Sequence, residues 1–454
     1  MSNVRDSLSK ARNAAVIAAL CGSMVFPSAP ALAGGLMLYE VGTADVGLAS
    51  AGYGARAQDA STVFTNPAGM TRLPGNQFVA GAQLMWSNDK FSVGSGTSPA
   101  LGTGDGGYVI GSGGWFPGGG GYFSYSVSPQ LKLGLALTGN FGAGLKYDDD
   151  WVGRYYVQQA TIIGMSILPS IAYKVNDKLS LGASVNAMYG YFKQQVAINV
   201  PDVLRPGVVI PSQRAAGDAQ LRLKDETWGW GANLGLLYEA DKDTRFGLVW
   251  TSAVKLDFSD QAQFVNLGNL GTTLQSRGLL NPTINVGIKV PQTLMGSFFT
   301  QMNDRWALLG SVGWQQWSKF GQVQLGIDNT ANPRSLTTDL PFKDTWHVAL
   351  GAQYHVSAPW LLNFGVAYDS GFQNGSQVSP LLPLNSAWRF GFGAQNKLSQ
   401  TTEWGVAAEL MYGGSIDTNI QSATPVALGG RGNLVGSYDN LWTVLVSAYG
   451  SWKF

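Results

Sequence analysis

Along most of this 454-residue chain, large apolar side chains recur at every second position, and no other feature restricts the fold as strongly. Period-two alternation belongs to β-strands whose two faces meet different surroundings. Here it persists for about ten residues at a time, beyond the roughly 5 to 6 usual for a globular strand. The C-terminus is clearest: Trp442, Val444, Val446, Ala448, Gly450, Trp452 and Phe454 share one face, while Thr443, Ser447, Tyr449, Ser451 and Lys453 share the other. The same pattern runs through Leu179 to Tyr189, Trp228 to Tyr238, Phe246 to Trp250, Trp346 to Tyr354, Trp360 to Tyr368, Trp388 to Phe392 and Trp404 to Tyr412. Charged residues make up only 13% of the chain, against about 25% in ordinary soluble domains. That deficit follows if one face of each strand meets lipid. Lipid satisfies no polar group, so such strands must close into a barrel with no free edge.

The punctuation between the runs supports this reading. Short polar turns lie at Ser128-Pro129-Gln130, Asn176-Asp177-Lys178, Asp241-Lys242-Asp243, Met302-Asn303-Asp304, Ser357-Ala358-Pro359 and Lys397-Leu398-Ser399. Longer irregular segments alternate with them, at about 88–118, 140–161, 200–220, 258–282, 318–342, 371–383 and 413–437. Six short turns and seven long loops join fourteen strands, an even number suited to a bacterial outer-membrane barrel with its long loops outside the cell. An all-β transmembrane antiparallel barrel is therefore the expected fold. With 45% hydrophobic residues the chain is too apolar for disorder. A mean hydropathy of +0.02 and a net charge of +1 exclude a polytopic helical protein and give no footprint for nucleic acid.

The N-terminus reads as an export signal over residues 1–33. Arg5, Lys10 and Arg12 precede an apolar stretch from Ala14 to Phe26, and Ala31-Leu32-Ala33 offers a small-x-small cleavage site. Cys21, the sole cysteine, lies within it, so a mature chain beginning at Gly34 would have neither disulfides nor thiolate metal ligands. The expected organisation is a signal peptide at 1–33, a plug at 34–75 and a barrel at 76–454. The location expected is the outer membrane of a Gram-negative cell.

Residues 34–75 are rich in Ala and Gly and lack girdle aromatics, which places them inside the barrel rather than in lipid. Within them, Asp59-Ala60-Ser61-Thr62-Val63-Phe64-Thr65-Asn66-Pro67-Ala68-Gly69-Met70 resembles the hatch motif of the FadL-type long-chain fatty acid transporters. The segments Lys146 to Tyr156, Arg305 to Leu308 with Trp317-Ser318, and Lys343 to Trp346 with Val348 to Gly351 are similar to that family too. The resemblance implies a fourteen-stranded barrel closed by an N-terminal hatch carrying Asn66, Pro67, Ala68 and Gly69. It implies passive uptake of hydrophobic molecules, most simply long-chain fatty acids, with uncharged aromatic or aliphatic hydrocarbons as the alternative. Ligand would be captured between outer loops, held in an interior pocket that includes Gly34, Gly35, Leu36, Met37 and Leu38, and released sideways at an inward kink in the third strand. By analogy that kink falls at Thr138, Gly139, Asn140, Phe141 and Gly142, where glycines weaken pairing; the same glycines are equally suited to a crowded lumen. The apolar N-terminus could likewise be plain plug packing.

By strand parity His347, Asp369, Arg389 and Glu409 point into the lumen. Arg389 could bind a ligand carboxylate through a bidentate pair, or pair with Asp369 or Glu409 and tie plug to wall. Arg154 and Lys193 are further basic candidates. An enzyme is not expected: an outer-membrane lipid enzyme, the remote alternative, would need a Ser and a His within hydrogen-bond reach, whereas His347 and His355 are the only histidines and His355 sits at a periplasmic turn. Gly102-Thr103-Gly104-Asp105-Gly106-Gly107 spells a dinucleotide fingerprint but lies in an outer loop with no helix to follow. No residue spacing suggests a metal or other cofactor. A general diffusion porin would need an open, charged eyelet where this chain has a plug. Expected partners are the hydrophobic ligand, outer-membrane lipid and lipopolysaccharide, with the protein a monomer.

Overall fold

The computed structural model describes residues 36–106, 115–204, 214–276, 280–328, 334–340, 342–373, 378–384 and 386–454. The export signal at 1–33, Gly34 and Gly35 lie outside the described residues, as does Gly107. Fourteen antiparallel strands form the wall. They are β1 (Gln77–Asn88), β2 (Trp115–Ser126), β3 (Leu131–Lys146), β4 (Gln159–Lys174), β5 (Leu179–Ile198), β6 (Ala219–Glu239) and β7 (Thr244–Thr251), followed by β8 (Thr293–Gln301), β9 (Trp306–Gln315), β10 (Thr345–Ser357), β11 (Trp360–Asp369), β12 (Ala387–Lys397), β13 (Thr402–Ile420) and β14 (Leu434–Lys453). The first and last pair from Gln77 with Lys453 to Asn88 with Trp442, which closes the ring. No helix among the described residues is long and apolar enough to cross a membrane; the strands do the crossing.

Alternation sorts the side chains as lipid requires. Along β10, Trp346, Val348 and Leu350 face outward while Thr345, His347 and Ala349 are buried. Aromatic pairs on neighbouring strands mark the two rims. Trp86 meets Trp442 at 4.6 Å between ring centroids and Tyr368 meets Trp388 at 5.1 Å, with Trp306 and Tyr354 at 4.5 Å toward the opposite end. The short turns are locked by side chains that imitate a backbone acceptor. Asn176 Oδ1 accepts from the amides of Lys178 and Leu179, and Asp241 Oδ1 accepts from those of Asp243 and Thr244.

Several of the segments expected to be irregular are shorter than sequence assigns: β3 and β4 run into 140–161, β13 and β14 run into 413–437, Phe91–Val93 within 88–118 pairs with β14, and two further segments carry a sheet outside the wall. Val254–Gln261, Thr283–Val290, Gln322–Asp328 and Arg334–Asp339 form a separate four-stranded antiparallel sheet. This corrects the loops assigned to 258–282 and 318–342. The chain leaves the wall at Ser252-Ala253 and returns at Pro291-Gln292, and a proline there cannot donate to a ladder. Val254, Leu256 and Phe258 are buried with Val286, Ile288 and Val290. Val254 and Leu256 pack on the inner face of β6, against Gly229. Strand also begins at Trp115, within the segment 88–118 that sequence assigns to a loop.

Candidate transport path through the barrel

Residues 36–73 fill the lumen. Their backbone meets the wall around the whole ring: Gly42 lies against Gly81 of β1, Ala68 against Gly182 of β5, Gly54 against Gly247 of β7, and Leu48 against Gly365 of β11. A Cβ at Gly365 would fall on the Leu48 carbonyl, and one at Gly182 on the Ala68 amide. These wall glycines are therefore dictated by close approach. The Asn66-Pro67-Ala68-Gly69 stretch opens a short 3-10 turn, Pro67–Arg72. Asn66 stands at its N-cap, where Oδ1 accepts from the Ala68 amide at 3.0 Å, satisfying an otherwise orphaned donor. Its Nδ2 donates to the carbonyls of Gly54 at 2.6 Å and Leu236 at 3.1 Å. One side chain thus holds its own turn, a neighbouring turn of the luminal segment and the wall.

Buried charges make the other wall contacts. Arg389 of β12 donates from Nε to Asp369 of β11 at 2.6 Å and from Nη1 to Glu40 of the luminal segment at 2.7 Å. Glu409 of β13 lies 3.4 Å from the same nitrogen, and His347 Nδ1 is 2.6 Å from Asp369. All four side chains placed in the lumen by parity are buried together, with Glu40 as a fifth member. Sequence reading did not single out Glu40, because its segment has no periodicity to aim it. The usable signal was chemical: a carboxylate buried in an Ala- and Gly-rich plug requires a partner. A second cluster lies within the segment, where Arg56 binds Asp45 at 2.9 Å and Asp59 at 2.8 Å. Burial raises the Asp45 carboxyl despite Arg56. For Asp59 burial acts in the same direction, but Arg56 and Ser61 prevail and hold it below the usual range. Arg245 of β7 donates to the carbonyls of Ala55 at 2.6 Å and Arg56 at 2.5 Å, and Lys132 of β3 to that of Leu73 at 2.8 Å.

The ladder of the third strand is interrupted near its middle. β2 pairs with β3 only from Ser126 with Lys132 to Gly120 with Thr138. Beyond that, β3 pairs only with β4, and its register slips between Gly139 and Phe141, leaving Asn140 as the extra residue. Gly142 has φ +152°. Residues 36–38 occupy the edge that β2 vacates. Leu38 N donates to Asn140 O at 3.0 Å, Gly142 N donates to Leu36 O at 2.8 Å, and Met37 bridges Phe141. Opposite this edge, β2 reads Pro117-Gly118-Gly119-Gly120-Gly121, and its Trp115 to Gly119 pair with β1 alone. Sequence reading passed over this run. A proline beside four glycines inside a strand is itself the mark of an unpaired edge.

Leu36, Met37 and Leu38 are buried in one apolar cluster with Phe141, Phe320 and Phe372. Phe141 meets Phe320 edge-on at 6.2 Å, and Trp317 stacks on Phe372 at 5.2 Å. Of the other basic candidates, Arg154 is fully buried and bound to Asp218 at 2.8 Å. Lys193 lies on the outward face of β5, opposite Lys224.

A barrel whose lumen is filled by its own N-terminal residues, with a ladder interrupted in one wall strand, is built as an outer-membrane transport protein rather than an open pore. Residues 24–441 match the family model described as outer membrane protein transport protein (OMPP1/FadL/TodX), and the chain belongs to that family. The long-chain fatty acid transport protein of Escherichia coli O6:H1 is 27% identical over 418 residues, covering 87% of this chain and 90% of the relative. Outer membrane protein P1 of Haemophilus influenzae is 26% identical over 422 residues, covering 84% of this chain and 86% of the relative. Among solved structures, a Pseudomonas aeruginosa FadL homologue superposes with a TM-score of 0.79 at 21% identity, covering 92% of this chain and 100% of that one. The Ralstonia pickettii toluene transporter TbuX gives 0.63 at 17%, covering 92% and 100%. The protein is thus a FadL-type outer-membrane transporter of hydrophobic compounds.

Proposed function

We propose that this protein takes up long-chain fatty acids, with residues 34–75 acting as a hatch and the interrupted ladder between β2 and β3 as the sideways exit. The observation that carries this reading is the pairing of Leu36 to Leu38 with the bulged part of β3. These apolar residues belong to the interior cluster and cover the edge of β3 that β2 leaves free, and their displacement would leave the wall ladders intact. A ligand entering that cluster gains about 0.8 kcal/mol for each methylene buried, and a sideways route delivers it to the bilayer without crossing water. The E. coli relative, whose name specifies long-chain fatty acids, is similar over most of both chains. The charge distribution favours a second reading, uncharged hydrocarbons. The guanidiniums of Arg56, Arg154 and Arg389 are already bound to carboxylates, and Arg245 to backbone carbonyls.

Uptake of labelled oleate and toluene by cells expressing the protein separates the two. Faster oleate uptake than in cells without the protein is expected; toluene uptake alone would transfer the assignment to hydrocarbons. Deleting Asn66-Pro67-Ala68 is expected to abolish uptake while the barrel still folds. Undiminished uptake of both probes would remove the hatch from the mechanism.

A further inference from the structure

The outward face of β3 to β6 carries a group of cations that the transport path does not use. Ladder register places Lys146, Gln159, Gln195 and Arg222 in one row across four neighbouring strands. Thr161, Lys193 and Lys224 form the next row toward the membrane. With strands about 4.8 Å apart, the first row spans about 14 Å. Lys193 and Lys224 are directly opposite one another, an arrangement that destabilises a ladder unless an anion lies nearby.

Their depth identifies that anion. Tyr189 and Trp228, on the same outward face, form a girdle pair with centroids 5.6 Å apart. Lys193 and Lys224 are four residues farther out on their strands, about 13 Å at the usual rise, which is the headgroup layer above the aromatic belt. The Lys224 ammonium lies over the Tyr191 ring at 5.7 Å, a cation–π contact on the same outward face. Among the described residues none of Lys146, Lys193, Arg222 and Lys224 enters a salt bridge; Arg222 donates to Gln220 at 2.8 Å. Of the nearby acids, Asp260 is engaged by the Lys224 backbone amide at 2.7 Å. Asp148 to Asp150 lie past the end of β3. On β13 and β14 the outer belt is Tyr412 and Trp442, and the eight strand residues beyond each include no Lys or Arg; past Trp346 of β10 a single lysine, Lys343, is exposed.

We propose that Lys146, Lys193, Arg222 and Lys224 form a docking surface for the phosphorylated sugar headgroup of lipopolysaccharide in the outer leaflet. Arg222 offers a planar fork to phosphate and the lysines offer point charges. The sector begins at β3, the strand bordering the interrupted ladder.

The full-length protein in detergent, titrated with bisphosphorylated lipid A and followed by native mass spectrometry, tests this. The variant Lys146→Gln/Lys193→Gln/Arg222→Gln/Lys224→Gln is expected to bind at least tenfold more weakly than the unaltered protein. Lys178→Gln/Lys242→Gln, at the turns of the opposite rim, is expected to leave binding unchanged, and dephosphorylated lipid A is expected not to distinguish the proteins. Equal binding by the fourfold variant would overturn the proposal. So would competition by inorganic phosphate at the same concentration as the lipid, which would mark a site for free anions. If the fourfold variant does not form a barrel by its heat-shifted mobility, Lys193→Gln/Lys224→Gln is measured instead; binding within twofold of the unaltered protein would reject the proposal.

Discussion

Arg389 shows how a single cation can hold two parts of the molecule together. It shares one guanidinium among Glu40 of the luminal segment and Asp369 and Glu409 of the wall. Removing one partner from a buried ionic group costs roughly 3 to 5 kcal/mol, because the remaining charges stay desolvated. Arg389→Met is therefore expected to lower stability by that amount in urea unfolding of the folded barrel, and a loss below about 1 kcal/mol would show that the contact is incidental. Asp89 is the opposite case, a buried carboxylate whose oxygens both accept from the Ser87 hydroxyl at 2.8 Å. Burial pushes its pKa up to about 7, so the folded state binds this proton more tightly than the unfolded chain does. The resulting stability is complete below the ordinary Asp pKa of about 4 and is lost as the pH rises through about 7. Asp89→Asn is expected to flatten that dependence, so that its gain over the unaltered protein is larger at pH 8 than at pH 5. Equal gains at the two values would disprove the linkage. Strand parity made His347, Asp369, Arg389 and Glu409 legible in sequence, because a wall residue has only two faces to choose between. It gave no access to Glu40 or Asp45, which belong to a segment without a repeat.

At the scale of elements, the pairing of residues 36–38 with β3 is the contact most directly open to test. Met37 and Phe141 face each other across a bridge, and Cys21 is the chain's only cysteine. Met37→Cys/Phe141→Cys is expected to form a disulfide that stops uptake of labelled ligand until a reductant is added. Uptake at the normal rate with the crosslink in place would show that this strand does not move during transport. The wall glycines make a second prediction. Gly365→Ala would press on the Leu48 backbone, and overpacking of this kind costs roughly 1 to 3 kcal/mol. Faster protease cleavage within residues 36–73 is expected, and an unchanged digestion pattern would count against the contact. The glycines of β3 indicated where a ladder could fail, but not that the N-terminal residues would occupy the vacated edge. That pairing joins positions about a hundred residues apart and leaves no local trace. The separate four-stranded sheet was obscured because its apolar runs are short and its connections resemble loops. Even so, Leu256 and Phe258, like Val286, Ile288 and Val290, alternate as strand residues do.

For the whole molecule, a lumen packed with residues 36–73 predicts little ion flow. Planar bilayers containing the full-length protein are expected to show no large steady current, and a sustained porin-like conductance would contradict the packing. The number of strands and the closed ring were legible because lipid imposes its pattern on every wall strand. The filling of the interior was legible only as an exclusion, since those residues suited neither lipid nor an outer loop. The glycine-lined inner wall has a consequence for biogenesis. Where Gly81, Gly182, Gly247 and Gly365 face inward, the wall has no side chains of its own to fill the space. The residues that fill it precede β1, and β1 closes the ring against β14, the last strand made. An empty cylinder would leave its inner backbone uncovered, and the filling residues have no complete surface to settle on until the cylinder has curved. Closing the ring and seating its contents are therefore one cooperative event, completed when the two ends of the chain meet.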